Sequence, residues 1–243
     1  MMGYGGWVCA EPMDLGVEQR LMRDWLAHCK WPLVEVTSSP GRAAALPSVD
    51  SRWTKALPRR LRSADTQTHC LDLTGDTAAL IARTKPNVRS YLRRHGDFGF
   101  SCRVGSRECL VDFLRWYRGG SQGWRVEASH LYPDAFFEAL CEGDGADVWV
   151  VSAAGAQVGA AVFLLGRRDV FYLASGTERA SGPISAMDVL VWSAALHYRE
   201  RGFVSLNLGA SEGLDSVARF KRKFGATEAT YRRNSYLLPR FIR

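Results

Sequence analysis

The sequence is short of the signatures that would make its chemistry obvious. Its six cysteines form no C-x-x-C, and no histidine stands at a zinc-site spacing from any of them. His28–Cys29 and His69–Cys70 are adjacent pairs, but neighbouring residues on a helix or strand point in different directions and do not readily share a metal. No metal is therefore expected, and the thiols read as reduced and structural. A nucleophile-elbow hydrolase is not expected, although Gly209-Ala-Ser-Glu-Gly213 has the G-x-S-x-G spacing. A thiol nucleophile paired with one of the five histidines stays open. Met1 to Glu11 has no basic n-region and Leu238 to Arg243 is no lipidation or retention motif, so a cytoplasmic protein is the expectation. Internal repeats and low-complexity segments are lacking too.

Long uncharged runs are also scarce. The one that bears on a membrane, Val148 to Gly166, is nearly long enough to span a bilayer. Its centre is Ala-Ala-Gly-Ala-Gln-Val-Gly, which reads as a tight turn between two valine-rich strands, so a hairpin is expected and a span is not.

What is present describes a folded chain. The 243 residues are 47% hydrophobic, 23% charged and 11% aromatic, too apolar for disorder and enough for one large domain or two small ones sharing a core. The 32 Lys and Arg against 25 Asp and Glu leave a net charge of +7. That excess suits a polyanionic partner such as RNA or a phosphorylated metabolite, and equally serves solubility.

The pattern of elements is α/β. A helix is predicted over Asp14–Lys30, a strand over Pro32–Thr37, and a loop over 38–66 that holds the basic cluster Arg59-Arg60-Leu-Arg62. A strand Thr68–Leu73 leads to a helix Asp76–His95 interrupted near Pro86, which carries Arg83, Lys85, Arg89, Arg93 and Arg94. Strand Phe98–Val104 precedes helices near Glu108–Tyr117 and Pro133–Cys141. Strands Asp147–Ser152, Gln157–Leu165 and Asp169–Ala174 follow. The next helix has signals at both ends: Ser185 with Asp188 as a capping box, and Gly202 past the last turn. Met187, Leu190, Val191, Ala194, Ala195 and Tyr198 would pack it on the sheet. Strand Val204–Leu208, helix Leu214–Phe224 and strand Glu228–Leu237 complete the layer.

The helix Leu214–Phe224 is the most informative. At about 100° per residue, Leu214, Val217, Phe220 and Phe224 form an apolar stripe with Lys221 inside its arc, while Arg219, Arg222 and Lys223 lie on the other side. A lysine so placed either snorkels out along its stem or stands at a cleft wall facing an anionic group. The outward cations are solubilising residues or contacts to a phosphate backbone.

Phe171-Tyr-Leu-Ala-Ser-Gly176, the capped helix, Leu206-Asn-Leu-Gly-Ala-Ser211 and Phe220-Lys-Arg-Lys-Phe-Gly225 occur in an order that resembles the second domain of the Fem family. These are aminoacyl-tRNA-dependent peptidyltransferases that extend peptidoglycan side chains. The resemblance runs from about residue 66 to the end, with Phe-Lys-x-x-Phe-Gly its most specific part. Asn87-Val-Arg-Ser-Tyr-Leu-Arg-Arg94 resembles the family's interdomain basic helix, and Gly3-Tyr-Gly-Gly6 a segment inside its first domain.

The resemblance implies acetyltransferase-type (GNAT-like) units. Residues 1–95 would be a truncated first unit, with strand 228–243 returning to it, and 96–227 the second, catalytic unit. The helical arm of some members is not matched. Lys221 would stabilise charge on the tetrahedral intermediate or the departing ribose oxygen, and Phe220 would shape the site around the tRNA end. Tyr172, Arg118, Arg125 and Tyr132 would face the acceptor, with donors from the Gly209-Ala-Ser211 turn supplementing the lysine. Arg219, Arg222, Lys223, Arg89, Arg93 and Arg94 would contact tRNA. The partners implied are aminoacyl-tRNA as co-substrate, without a further cofactor, and a peptide-type acceptor: a peptidoglycan precursor, or for a shortened member a peptide antibiotic or peptidyl nucleoside.

Two other classes stay open. A coenzyme A-dependent N-acyltransferase would cradle pyrophosphate on a glycine-rich turn, but Arg179-Ala-Ser-Gly182-Pro183 has a proline where an N–H donor is wanted. A non-catalytic RNA-binding protein fits the charge and gives Lys221 no reason to face inward.

Overall fold

The computed structural model describes residues 33–37, 59–105, 107–124, 131–177, 185–211 and 214–237. The expected helix Asp14–Lys30 lies outside them. The chain divides into two compact units. The larger comprises His69–Thr227, and the described residues of the smaller are 33–37, 59–68 and 228–237.

In the larger unit the sheet order is β2 (Arg59–Asp72, through its last residues), β7 (Ser205–Ala210), β6 (Asp169–Thr177), β5 (Ala156–Leu165), β4 (Ala146–Ala153) and β3 (Phe100–Gly105). Strands β3 to β6 form an antiparallel meander, and β7 pairs with β6 in parallel. A parallel neighbour requires a crossover. It is supplied by α5 (Ala186–Glu200), where Ser185 and Asp188 form both halves of the expected capping box. The expected apolar face of α5 is buried, but so are Val189 and Trp192, so the helix is enclosed on more than one side.

The uncharged run Val148–Gly166 is the β4–β5 hairpin. Its turn residues Ala154 and Gly155 have φ of 48° and 81°, the positive values a type I′ turn demands. No helix among the described residues is long and apolar enough to cross a membrane.

Side chains alternate across this hairpin, as strand geometry requires. Val148, Val150, Ala160 and Val162 join a core with Phe113 and Tyr117 of α3 (Leu110–Trp124) and Phe137 of α4 (Asp134–Leu140). Trp149, Val151, Ala161 and Phe163 face the other way, onto Leu190, Ala194 and Tyr198 of α5. Leu80 of α1 (Thr77–Arg83) and Leu92 of α2 (Pro86–Arg93) belong to the same layer. The Trp149 indole donates to the Tyr198 hydroxyl at 2.9 Å.

Pro86, at the first position of α2, divides the expected long helix in two. A 3-10 turn, His95–Phe98, follows and holds Gly96. Two expected boundaries differ by seven residues or more. Strand β2 begins at Arg59, so the basic cluster lies in a strand and not in a loop, and α3 runs on to Trp124, past Tyr117. In the smaller unit, β8 (Thr227–Leu237) lies between β1 (Leu33–Thr37) and the first part of β2, with Leu33 opposite Leu237 and Thr37 opposite Arg233.

Candidate active site

The site is built where two parallel strands part. Asp169, Val170 and Phe171 of β6 pair with Ser205, Leu206 and Asn207 of β7, after which both strands continue without further pairing between them. Beyond the last pair the Asn207 side-chain oxygen accepts the Gly209 N–H at 2.8 Å, and Gly209 takes φ +79°. A Cβ there would meet nothing closer than 3.9 Å, so the left-handed backbone, not lack of room, demands glycine.

The Gly209 and Ala210 carbonyls both accept hydrogen bonds from the Lys221 ammonium, at 2.8 and 2.7 Å. Lys221 is only 4% exposed. It does not snorkel: its charge is inside, gripped by the main chain of β7. This reverses the polarity expected of the Gly209–Ser211 segment, which offers oxygens to the lysine, while the Gly209 N–H is engaged by Asn207.

Helix α6 (Asp215–Arg222) sets the lysine in place. Ala218, Lys221 and Phe224 are buried, with Phe220 packed against the core. Leu214, expected in the stripe, stands at the N-cap and is 58% exposed. Arg219 and Arg222 face solvent as expected, but Lys223 does not share their face. Its ammonium ion-pairs with buried Asp188 and lies 4.6 Å from the Phe220 ring centre. Lys223 therefore fastens α6 to the first turn of α5.

Gly225 ends the motif at φ +86°, where a Cβ would come within 2.6 Å of the Arg83 carbonyl oxygen. The neighbouring Lys85 N–H donates to the Lys223 carbonyl at 2.9 Å. Each fixed position of Phe-Lys-x-x-Phe-Gly thus serves a local need. Both phenylalanines pack, the lysine carries the charge, and the glycine permits the close approach.

The remaining candidates are spread more widely. Tyr172, half-buried on β6, donates its hydroxyl to Ser175. Burial pushes the Tyr172 phenol up to about 12. Ser211 Oγ lies 3.3 Å from Nδ1 of buried His69 on β2. In the sequence His69 stands out only as a neighbour of Cys70; its burial beside Thr68 depends on strand pairing that periodicity does not show.

Arg118 is exposed and paired with Asp134, and Tyr132 stacks on Phe136 at 4.6 Å. Tyr132 packs in the α3–α4 layer, on the sheet face opposite the core that receives Phe220 and Phe224. Arg125 lies outside the described residues. Arg89 donates to the Ala82 and Thr84 carbonyls, both at 2.9 Å, closing the end of α1. Arg94 pairs with Asp97 at 2.7 Å, and Arg93 is exposed.

Burial raises the Cys70 and Cys102 thiols to about 11. Cys109 is also raised by burial, although Arg103 donates to its sulfur at 2.7 Å and opposes the shift. These three thiols stay protonated at neutral pH, which weighs against a thiolate nucleophile among them. Among the described residues no group of three or more His, Cys, Asp or Glu is placed to hold a metal.

Among solved structures, the chain is similar to FemX with a TM-score of 0.68 and 11% identity, covering 93% of this chain and 77% of that one. It is similar to a conserved protein of unknown function from Bacteroides thetaiotaomicron, with a TM-score of 0.58, 13% identity and coverages of 91% and 75%. It also resembles the C-terminal domain of a putative lysylphosphatidylglycerol synthetase from Agrobacterium fabrum, with a TM-score of 0.54, 18% identity and coverages of 78% and 65%. At such identities these likenesses establish the fold. No curated protein matches the sequence. Residues 82–222, more than half of the chain and including the strands that part, α5 and Lys221, match the acetyltransferase (GNAT) domain family, and the chain belongs to that family.

Proposed function

We propose that the protein is a Fem-like aminoacyltransferase that moves an amino acid from aminoacyl-tRNA to the free amine of a peptide-type acceptor. The observation that carries this reading is the buried Lys221 ammonium, fixed between two main-chain oxygens where β6 and β7 separate. An aminoacyl ester is already activated, so an amine held at near-attack distance opens it without a protein nucleophile. What the protein must supply is charge stabilisation as the ester oxygen becomes negative. A cation that is already desolvated and fixed needs little reorganisation to do so, and one such donor is worth about 3 kcal/mol. Phe220 packs against the core one residue before the lysine, and its ring carries the Lys223 ammonium.

The fold likeness to FemX supports the reading, as does the likeness to a neighbour whose name denotes a lysyl-containing product. Exposed Arg93, Arg219 and Arg222 suit a phosphate backbone. The coenzyme A alternative is disfavoured by Asp188, a carboxylate of the protein itself that occupies the first turn of α5 and caps it. The Ser185 N–H that an anion at that helix start would seek is already engaged by this carboxylate.

The test is a transfer assay with labelled aminoacyl-tRNA and acetyl-coenzyme A in parallel, over a peptide-amine acceptor library. Amide product from the aminoacyl-tRNA alone is the expected result. Product from acetyl-coenzyme A alone would overturn the reading. RNA binding should weaken steeply between low and physiological salt, and a flat salt response would argue against backbone contacts.

A further inference from the structure

We propose that His69 and Ser211 form the proton relay of this site, a deepening that rests on the aminoacyl-transfer reading. Ser211 directly follows Ala210, whose carbonyl grips Lys221 at 2.7 Å. Covalent geometry alone therefore keeps the Ser211 hydroxyl within about 8 Å of the ammonium. On its other side that hydroxyl is 3.3 Å from His69 Nδ1, on the neighbouring strand β2. The serine is half-buried while the histidine is 3% exposed. A hydroxyl standing between the site and a shielded imidazole is the arrangement that passes a proton inward. Imidazole exchanges protons near neutral pH, the range in which a general base is most effective. Tyr172 and Cys70 do not offer this: the Tyr172 phenol is raised and bound to Ser175, and the Cys70 thiol is raised by burial.

The acceptor nitrogen bonds to the ester carbonyl carbon, and its excess proton passes to Ser211 Oγ as the serine proton moves to His69 Nδ1. The carbon–oxygen bond to the ribose then breaks, and the same relay run backwards returns the proton to the departing ribose oxygen. An amide and a free ribose hydroxyl result, with the imidazole and serine unchanged.

The experiment compares wild type, Ser211→Ala, His69→Gln and the double variant, using aminoacyl-tRNA with a peptide-amine library and, separately, with hydroxylamine. Each single variant should lower kcat with peptide amines about a hundredfold and leave KM for aminoacyl-tRNA unchanged. The double variant should be no slower than either single one, as for residues that act as a unit. Hydroxylamine, a neutral and weakly basic nucleophile at neutral pH, should restore rates close to wild type. Unchanged kcat in Ser211→Ala, multiplying losses in the double variant, or equal losses with both nucleophiles would overturn the relay. Thermal unfolding monitors folding, and should His69→Gln unfold, Ser211→Ala decides alone. Absence of any transfer by wild type would instead defeat the aminoacyl-transfer reading, and the relay with it.

Discussion

Lys221 is the residue for which helical periodicity is most informative, because its inward direction follows from the stripe on its own helix. Lys221→Met should lower kcat by about 100- to 1000-fold, measured in the transfer assay. It should also lower stability by about 1–3 kcal/mol, seen in denaturant unfolding, because the Gly209 and Ala210 carbonyls lose this donor. Lys221→Arg should rescue poorly, since a planar fork cannot replace a compact ammonium between two nearby oxygens. Lys223 is illegible by the same wheel, which places it outward. Its partner Asp188 comes from another helix, and no periodicity within α6 reveals it. Lys223→Met should therefore destabilise by about 1–3 kcal/mol, because Asp188 loses its cation and keeps only the Ser185 N–H, readable as a lower denaturant midpoint.

Elements are legible in the sequence wherever a local signal marks both ends. The capping box and Gly202 frame α5, and the β4–β5 turn is visible as small residues between two valine-rich runs. The start of β2 is not, because Arg59-Arg60-Leu-Arg62 has a loop-like composition and is ordered by its place in a sheet, a long-range fact. In the β4–β5 turn Ala154 has φ +48°, a conformation that disfavours side chains with a Cβ by about 1 kcal/mol. Ala154→Gly should raise the melting temperature by relieving it. Gly225→Ala should do the reverse, because the added methyl group meets both a left-handed backbone and the Arg83 main chain. A loss of about 2 kcal/mol or more, measured in denaturant, is expected there.

At the scale of the molecule, the α/β class follows from the order of elements, whereas the meeting of β6 with β7 around a crossover does not, since parallel neighbours are distant in sequence. Whole-chain stability should carry the mark of the shielded thiols. Cys70 and Cys102 are raised to about 11 in the folded protein, so below about pH 8 both states hold these protons and the two thiols add no slope. Between about pH 9 and 11 the unfolded chain releases protons that the folded one retains. Stability should fall there by about 2 kcal/mol per thiol, measured as unfolding free energy against pH, and substituting either cysteine with serine should shrink the slope. The grip on Lys221 has a different reach. Both oxygens that hold it belong to the peptide backbone, so the seat of the charge is encoded in the course of the chain, not in the side chain at position 210. A substitution at that position can leave the cation in the same place, whereas Gly209, whose left-handed backbone demands glycine, is where the anchor leaves its mark in the sequence.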